Sequence, residues 1–230
     1  MNIQGYQKMT LLDFPGRVAC TVFTGGCNLR CPFCHNAGLV KTPLASKNME
    51  AEVLDYLAKR RGILDGVCIT GGEPLLQPDL VNFIARVREM GYLVKLDTNG
   101  SLPERLEALL RTGTVDYVAM DVKSSPSGYA AAIGTEIDIA PFLRSVELIR
   151  ASNVAHEFRT TAVKGIHTPE DFAEIGKWLG GESPYFIQCF KDSGNLLGTG
   201  CQAFNAEETA AILDAVRPYI PNAVIRGEGY

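Results

Sequence analysis

The sequence predicts an α/β protein, a partial (β/α)6 barrel of the TIM type around a parallel sheet. Three observations carry this. Short β-branched apolar runs alternate with amphipathic stretches along the chain, which is the pattern of β/α units joined by right-handed crossovers. About six such units are legible, too few for a closed eight-stranded barrel. Polar or glycine-rich motifs end four consecutive predicted strands. Chemistry spread over several strand ends suggests one shared site at the C-terminal rim of a barrel. A doubly wound sheet would gather it at a single switch point.

Residues 18–24 (VACTVFT) are short, apolar and β-branched and predict the first strand,. Ser46-Lys47-Asn48 supplies capping residues ahead of a helix over 49–61,. Residues 67–70 predict the second strand, followed by Gly71-Gly72-Glu73-Pro74. A helix over 79–90 has Pro78 before it and Gly91 after it, the usual start and stop asymmetry,. The third strand, 93–98, runs into Asp97-Thr98-Asn99-Gly100, and a helix over 103–111 follows. The fourth, 115–122, ends in Asp121-Val122-Lys123. A helix over 140–151, a strand over 157–163, a helix over 169–179, a strand over 185–190 and a helix over 206–216 complete the series. Residues 223–225 are a candidate for one more strand. No repeat, low-complexity tract or flexible linker divides the chain, so a single domain over 1–230 is expected.

Composition bounds the function. With 230 residues the chain can bury a core without disulfide staples,. Hydrophobic residues at 46% and charged residues at 21% argue against a disordered chain, a collagen or a coiled coil,. A net charge of −4 argues against a nucleic-acid partner, which would need a basic face,. No apolar run approaches the roughly 20 residues of a membrane span. Lys8, Asp13 and Arg17 interrupt any apolar signal segment,. A cytoplasmic location is expected.

Cys27, Cys31 and Cys34 fall within eight residues, while Cys20, Cys68, Cys189 and Cys201 are scattered. An odd count without an export signal does not read as a disulfide framework. Thiolates are soft ligands that favour zinc and iron–sulfur clusters. Three on one tight loop can hold three irons of a [4Fe–4S] cube and leave the fourth open, as a catalytic metal requires. The alternative is a zinc knuckle closed by His35 or Cys20. Adjacency of Cys34 and His35 makes joint chelation awkward, and no second pair lies at finger spacing,. The remaining four cysteines read as buried small hydrophobes. A non-enzymatic reading, an iron–sulfur electron carrier or zinc-stabilised binding module, predicts no affinity for a small cofactor.

Cys-x3-Cys-x2-Cys with Phe33 before the last cysteine resembles the signature of the radical S-adenosylmethionine superfamily, and Gly71-Gly72-Glu73-Pro74 resembles its glycine-rich motif. Asp13-Phe14-Pro15-Gly16-Arg17, Cys34-His35-Asn36, Leu96-Asp97-Thr98-Asn99-Gly100 and Met120-Asp121-Val122-Lys123 are similar to the activating enzymes of glycyl radical enzymes. Glu157-Phe158-Arg159-Thr160-Thr161 and Arg226-Gly227 resemble the short activase assigned to anaerobic ribonucleoside-triphosphate reductase. The resemblance spans nearly the whole chain.

It implies a [4Fe–4S] cluster on Cys27, Cys31 and Cys34 and S-adenosylmethionine on its open iron. The cofactor supplies the radical chemistry and the protein supplies position. Gly71 and Gly72 would let backbone carbonyls approach the cofactor's ammonium, and Glu73 would add a charge-assisted bond, with Pro74 closing the turn. Asp97, Thr98 and Asp121 would lie near the methionine carboxylate, where related activases hold a cation, and oxygen ligands suit a hard one; Asn99 would join the cofactor-binding set. Lys123 would pair with that carboxylate or the ribose, and Phe33 and His35 would lie against the adenine. Some activases contact the ribose through a histidine after the sixth strand; here Gln188-Cys189-Phe190-Lys191 stands in its place. His156 and His167 read as structural. Asp13 would contact the partner's glycine loop.

The implied partner is a glycyl radical enzyme, with flavodoxin or ferredoxin as electron donor. Ribonucleotide reductase, pyruvate formate-lyase and others stay open as that partner. A second enzymatic reading is 7-carboxy-7-deazaguanine synthase, which would turn over a small pterin with Mg2+.

Overall fold

The computed structural model describes residues 1–41 and 49–227. One eight-stranded sheet runs in sequence order. Its strands are β1 (Ile3–Thr10), β2 (Ala19–Thr24), β3 (Gly66–Gly71), β4 (Leu93–Thr98), β5 (Tyr117–Asp121), β6 (Ala155–Ala162), β7 (Tyr185–Cys189) and β8 (Val224–Arg226). β1 is antiparallel to β2 and every other pairing is parallel. Among the described residues no ladder joins β1 to β8, so the barrel stays open there. Helices α1 (Ala37–Lys41), α2 (Glu50–Ala58), α3 (Leu80–Glu89), α4 (Pro103–Leu110), α5 (Tyr129–Ile133), α6 (Ala140–Ala151), α7 (Pro169–Leu179) and α8 (Ala206–Val216) fill the connections.

The six predicted strands are β2 to β7, and the candidate at 223–225 is β8. The predicted cap at 46–48 lies outside the described residues. α7 and α8 start on capping boxes, Thr168 with Asp171 and Asn205 with Glu208. Each such cap contributes about 1 kcal/mol. The sequence reading missed β1. It carries Gln4, Gln7 and Lys8 and no clean alternation, which is how an edge strand discourages stray pairing. α1 and α5 span five residues each, too short to show a helical period.

Alternation along each strand divides the sheet into two faces. Val22, Val67, Ile69, Val94, Leu96, Val118, Met120, Phe158 and Ile187 are fully buried on one. The other face, toward the lumen, is polar: Thr21, Cys68, Lys95, Asp97, Tyr117, Glu157 and Arg159. At the lower end Phe14, only 3% exposed, folds back from the β1–β2 loop. Its ring lies 6.1 Å from that of Tyr117, and a Cβ on Gly66 would meet it at 2.9 Å. Asp65 fastens this loop: Val18 donates its N–H to the Asp65 carboxylate at 2.8 Å, and the Asp65 N–H donates to the Val18 carbonyl at 2.7 Å.

Candidate functional site

Chemistry gathers at the upper end, where the loop after β2 carries the three clustered cysteines. Segments distant in sequence hold this loop. The Arg30 N–H donates to the Ile133 carbonyl at 3.0 Å, and the Gly198 N–H to the Pro32 carbonyl at 2.9 Å. The Asn28 amide donates to Ser101 Oγ at 2.8 Å. The Glu73 N–H donates to the Gly26 carbonyl at 2.8 Å. Two glycines make the approach possible. A Cβ on Gly72 would lie 1.9 Å from the Gly26 carbonyl oxygen, and one on Gly134, at φ +69°, 2.5 Å from that of Arg30. Arg30 also donates its guanidinium to the Cys27 and Leu29 carbonyls at 2.7 and 2.8 Å.

Cys27, Cys31 and Cys34 line one cleft with Gly71 and Gly72 on its β3 side. Burial raises all three thiol pKa values, Cys31 to about 11, against the pull of Lys123. Thiols so placed stay protonated until a metal claims them. Among the described residues no three His, Cys, Asp or Glu side chains converge on a single-ion position. The three thiols line the cleft together, and thiols are the donor chemistry that an iron–sulfur cluster takes. Cys20 is fully buried on β2 and does not line the cleft. Cys68 is also buried, but it sits beside Lys95 and Asp97, at 3.8 Å from each, rather than in an apolar setting. Cys189 and Cys201 are only part-buried, because one ends β7 and the other lies in the loop beyond it.

The rest of the cleft assembles most of the other predicted residues. Asp97, Thr98 and Asn99 reach it from the end of β4, and Asp121 and Lys123 from the end of β5. Phe33 and His35 form its flank. Phe33 stands edge-on to His167 at 6.2 Å, and His35 lies 5.6 Å from Phe190. Burial lowers the His35 pKa, leaving a neutral ring. His167 accepts the Val163 N–H through Nδ1 at 3.1 Å, so its Nε2 donates to the Lys123 carbonyl at 2.8 Å. His156 bonds Val154 and Ser183 instead. Neither ring lines the cleft.

Three predicted residues stand apart from the lining. Glu73 is fully buried beneath it. Its Oε1 accepts from the Leu75 N–H at 3.0 Å and Thr98 Oγ1 at 2.8 Å, and its Oε2 from the Asn99 N–H at 2.7 Å. Burial raises its pKa to about 7 against the pull of these bonds. Pro74 opens a buried 3-10 turn, Pro74–Leu76. Asp13 lies before β2, at the floor of the lumen, and accepts from Thr21 Oγ1 at 2.5 Å.

Sequence reasoning gave no individual role to Arg159, the centre of the site's electrostatics. Its Nη2 lies 2.9 Å from Asp121 Oδ1 and 3.3 Å from Asp97 Oδ2. Lys123 holds the second Asp121 oxygen at 3.0 Å, and Lys95 the second Asp97 oxygen. Burial alone would raise the Asp121 pKa; Arg159 and Lys123 outweigh it and hold the carboxyl far below its usual range. Further down, Arg226 grips Glu157 with two bonds of 3.0 Å and stacks 3.6 Å over Phe186. Thr161 and Gln188, also unassigned, complete the cleft wall. The available signal was a charged residue at alternate positions of an otherwise strand-like run.

Residues 21–179 match the Radical SAM superfamily. The chain is 33% identical, over 97% of its length and 95% of the relative's, to a Methanocaldococcus jannaschii protein named as a glycyl-radical enzyme activating enzyme. It is 32% identical to the pyruvate formate-lyase-activating enzyme of Listeria monocytogenes, over 64% of each chain. SuiB of Streptococcus suis bound to the precursor peptide SuiA superposes with a TM-score of 0.69 at 16% identity. That superposition covers 90% of this chain and 48% of SuiB, and speaks for the fold. Cysteine triplet, glycine cradle and near full-length similarity agree: the chain belongs to the Radical SAM superfamily.

Proposed function

We propose that this protein is an activase that abstracts a hydrogen atom from a backbone glycine of a glycyl radical enzyme, most specifically anaerobic ribonucleoside-triphosphate reductase. The observation that carries this is the convergence of three thiols, the Gly71-Gly72 cradle and the Asp97, Asp121 and Lys123 set on one cleft. Cys27, Cys31 and Cys34 would hold the [4Fe–4S] cluster. When bound, the cluster supplies one electron for the reductive cleavage of S-adenosylmethionine into methionine and a 5′-deoxyadenosyl radical. Gly71 and Gly72 give the cofactor's ammonium a close backbone surface. Lys123 and Arg159 present positive charge to its carboxylate. Phe33 and His35 offer a flank for a flat base. A cation near Asp97 and Asp121 belongs to the same reading, but Arg159, Lys95 and Lys123 already pair with both carboxylates, so these residues fit one poorly.

On this reading Asp13, at the floor of the lumen against Thr21 and off the cleft lining, would meet only a partner loop that reaches down into the lumen; reduced flavodoxin or ferredoxin would be the donor, in a cytoplasmic single-domain enzyme. Anaerobic reconstitution tests the reading. The wild type is expected to take up about four irons and to form 5′-deoxyadenosine with a chemical reductant. A glycyl radical signal is expected on the reductase and none on pyruvate formate-lyase. Cys31→Ala is expected to lose both iron and cleavage. Stoichiometric zinc in place of iron, or turnover of a pterin without any glycyl radical, would overturn the proposal.

A further inference from the structure

Asn99 directly follows β4 with 6% of its surface exposed, and its side-chain amide has one permitted orientation. Its Oδ1 accepts the Ser101 N–H at 2.9 Å and the Ser101 hydroxyl at 2.6 Å. Its Nδ2 therefore faces the other way, donating to Asn28 Oδ1 at 3.1 Å and to Cys27 Sγ at 3.8 Å. A flip would set oxygen against the Asn28 oxygen and the sulfur, and would turn the amide N–H groups toward the Ser101 backbone N–H, donor against donor,. The Asn28 amide in turn donates to Ser101 Oγ, closing a ring of three side chains. The Asn99 N–H is tied to Glu73 at 2.7 Å. Among the described residues, Asn99 is the one side chain that donates to any of the three clustered thiols. The Leu29 N–H adds a second donor to the same sulfur at 3.4 Å.

We propose that Asn99 is a positioning residue for the cluster, a fixed donor that raises its reduction potential through the Cys27 sulfur. This rests on the Radical SAM reading of the thiols. An N–H dipole aimed at a ligating sulfur favours the state with more charge on that sulfur, which is the reduced one. Ser101 acts one step back, by holding the amide in its donating orientation.

The test is EPR-monitored potentiometry of the reconstituted cluster without S-adenosylmethionine. Asn99→Ala is expected to keep its iron and to shift the potential negative. The reduced-to-oxidised ratio at a fixed potential should fall by up to roughly tenfold, which is 59 mV for one electron. Ser101→Ala is expected to move it the same way by less, since the amide loses the hydroxyl donor and keeps the Ser101 backbone N–H. An unchanged or more positive potential in Asn99→Ala at full iron content overturns the assignment. Should that variant fail to hold iron, the sign of the Ser101→Ala shift decides in the same terms. A wild type that takes up no iron at all would sink the underlying reading instead.

Discussion

Glu73 is a buried acid that accepts three donors, two of them from the cleft-lining Thr98 and Asn99, without lining the cleft itself. Its pKa of about 7, against an ordinary 4.5, means that folding favours the protonated acid. Its contribution to stability is thus complete below pH 4.5 and is lost as pH rises through 7. Glu73→Gln removes the titrating group and keeps the shape. The stability of the wild type relative to this variant should decline by roughly 3 kcal/mol across that window. Urea unfolding of the apo-protein at several pH values checks this, and parallel profiles for the two proteins would refute it. The glycines and acid of residues 71–74 were legible as a cofactor motif, but the direction of the acid was not. Thr98 and Asn99 turn it inward, and only the assembled sheet brings them there. Arg159 was hidden for a related reason. Its significance is that β4, β5 and β6 curl far enough for one guanidinium to reach two carboxylates.

Strands β2 to β7 were readable because each is a β-branched run closed by polar or glycine-rich residues. β1 was not, since an edge strand needs no apolar alternation. The loop after β2 was readable as a ligand set, while its supports were not, because they come from α5, the end of β4 and the loop after β7. At this scale Gly72 is the sensitive position. A methyl group there would overlap the Gly26 carbonyl at 1.9 Å, and backbone cannot yield as a flexible side chain can. Gly72→Ala is therefore expected to displace the loop and lower iron uptake while leaving far-ultraviolet circular dichroism unchanged. Full iron content in that variant would show that the loop tolerates the shift.

Over the whole molecule the barrel is apolar outside and ionic inside, stoppered below by Phe14 and unlaced between β1 and β8. Phe14→Ala should cost roughly 3–5 kcal/mol, read as a lower urea midpoint; a loss under about 1 kcal/mol would mean that the stopper is dispensable. The supports of the thiol loop have a wider consequence. Ile133 and Gly198 lie far downstream of the residues they hold, and contacts between distant positions close late in folding. The loop that carries the three thiols therefore has its full set of supports only once residues as far downstream as Gly198 have docked. A copy truncated before Gly198 would keep Cys27, Cys31 and Cys34 and yet lack the bond that reaches Pro32 from across the chain.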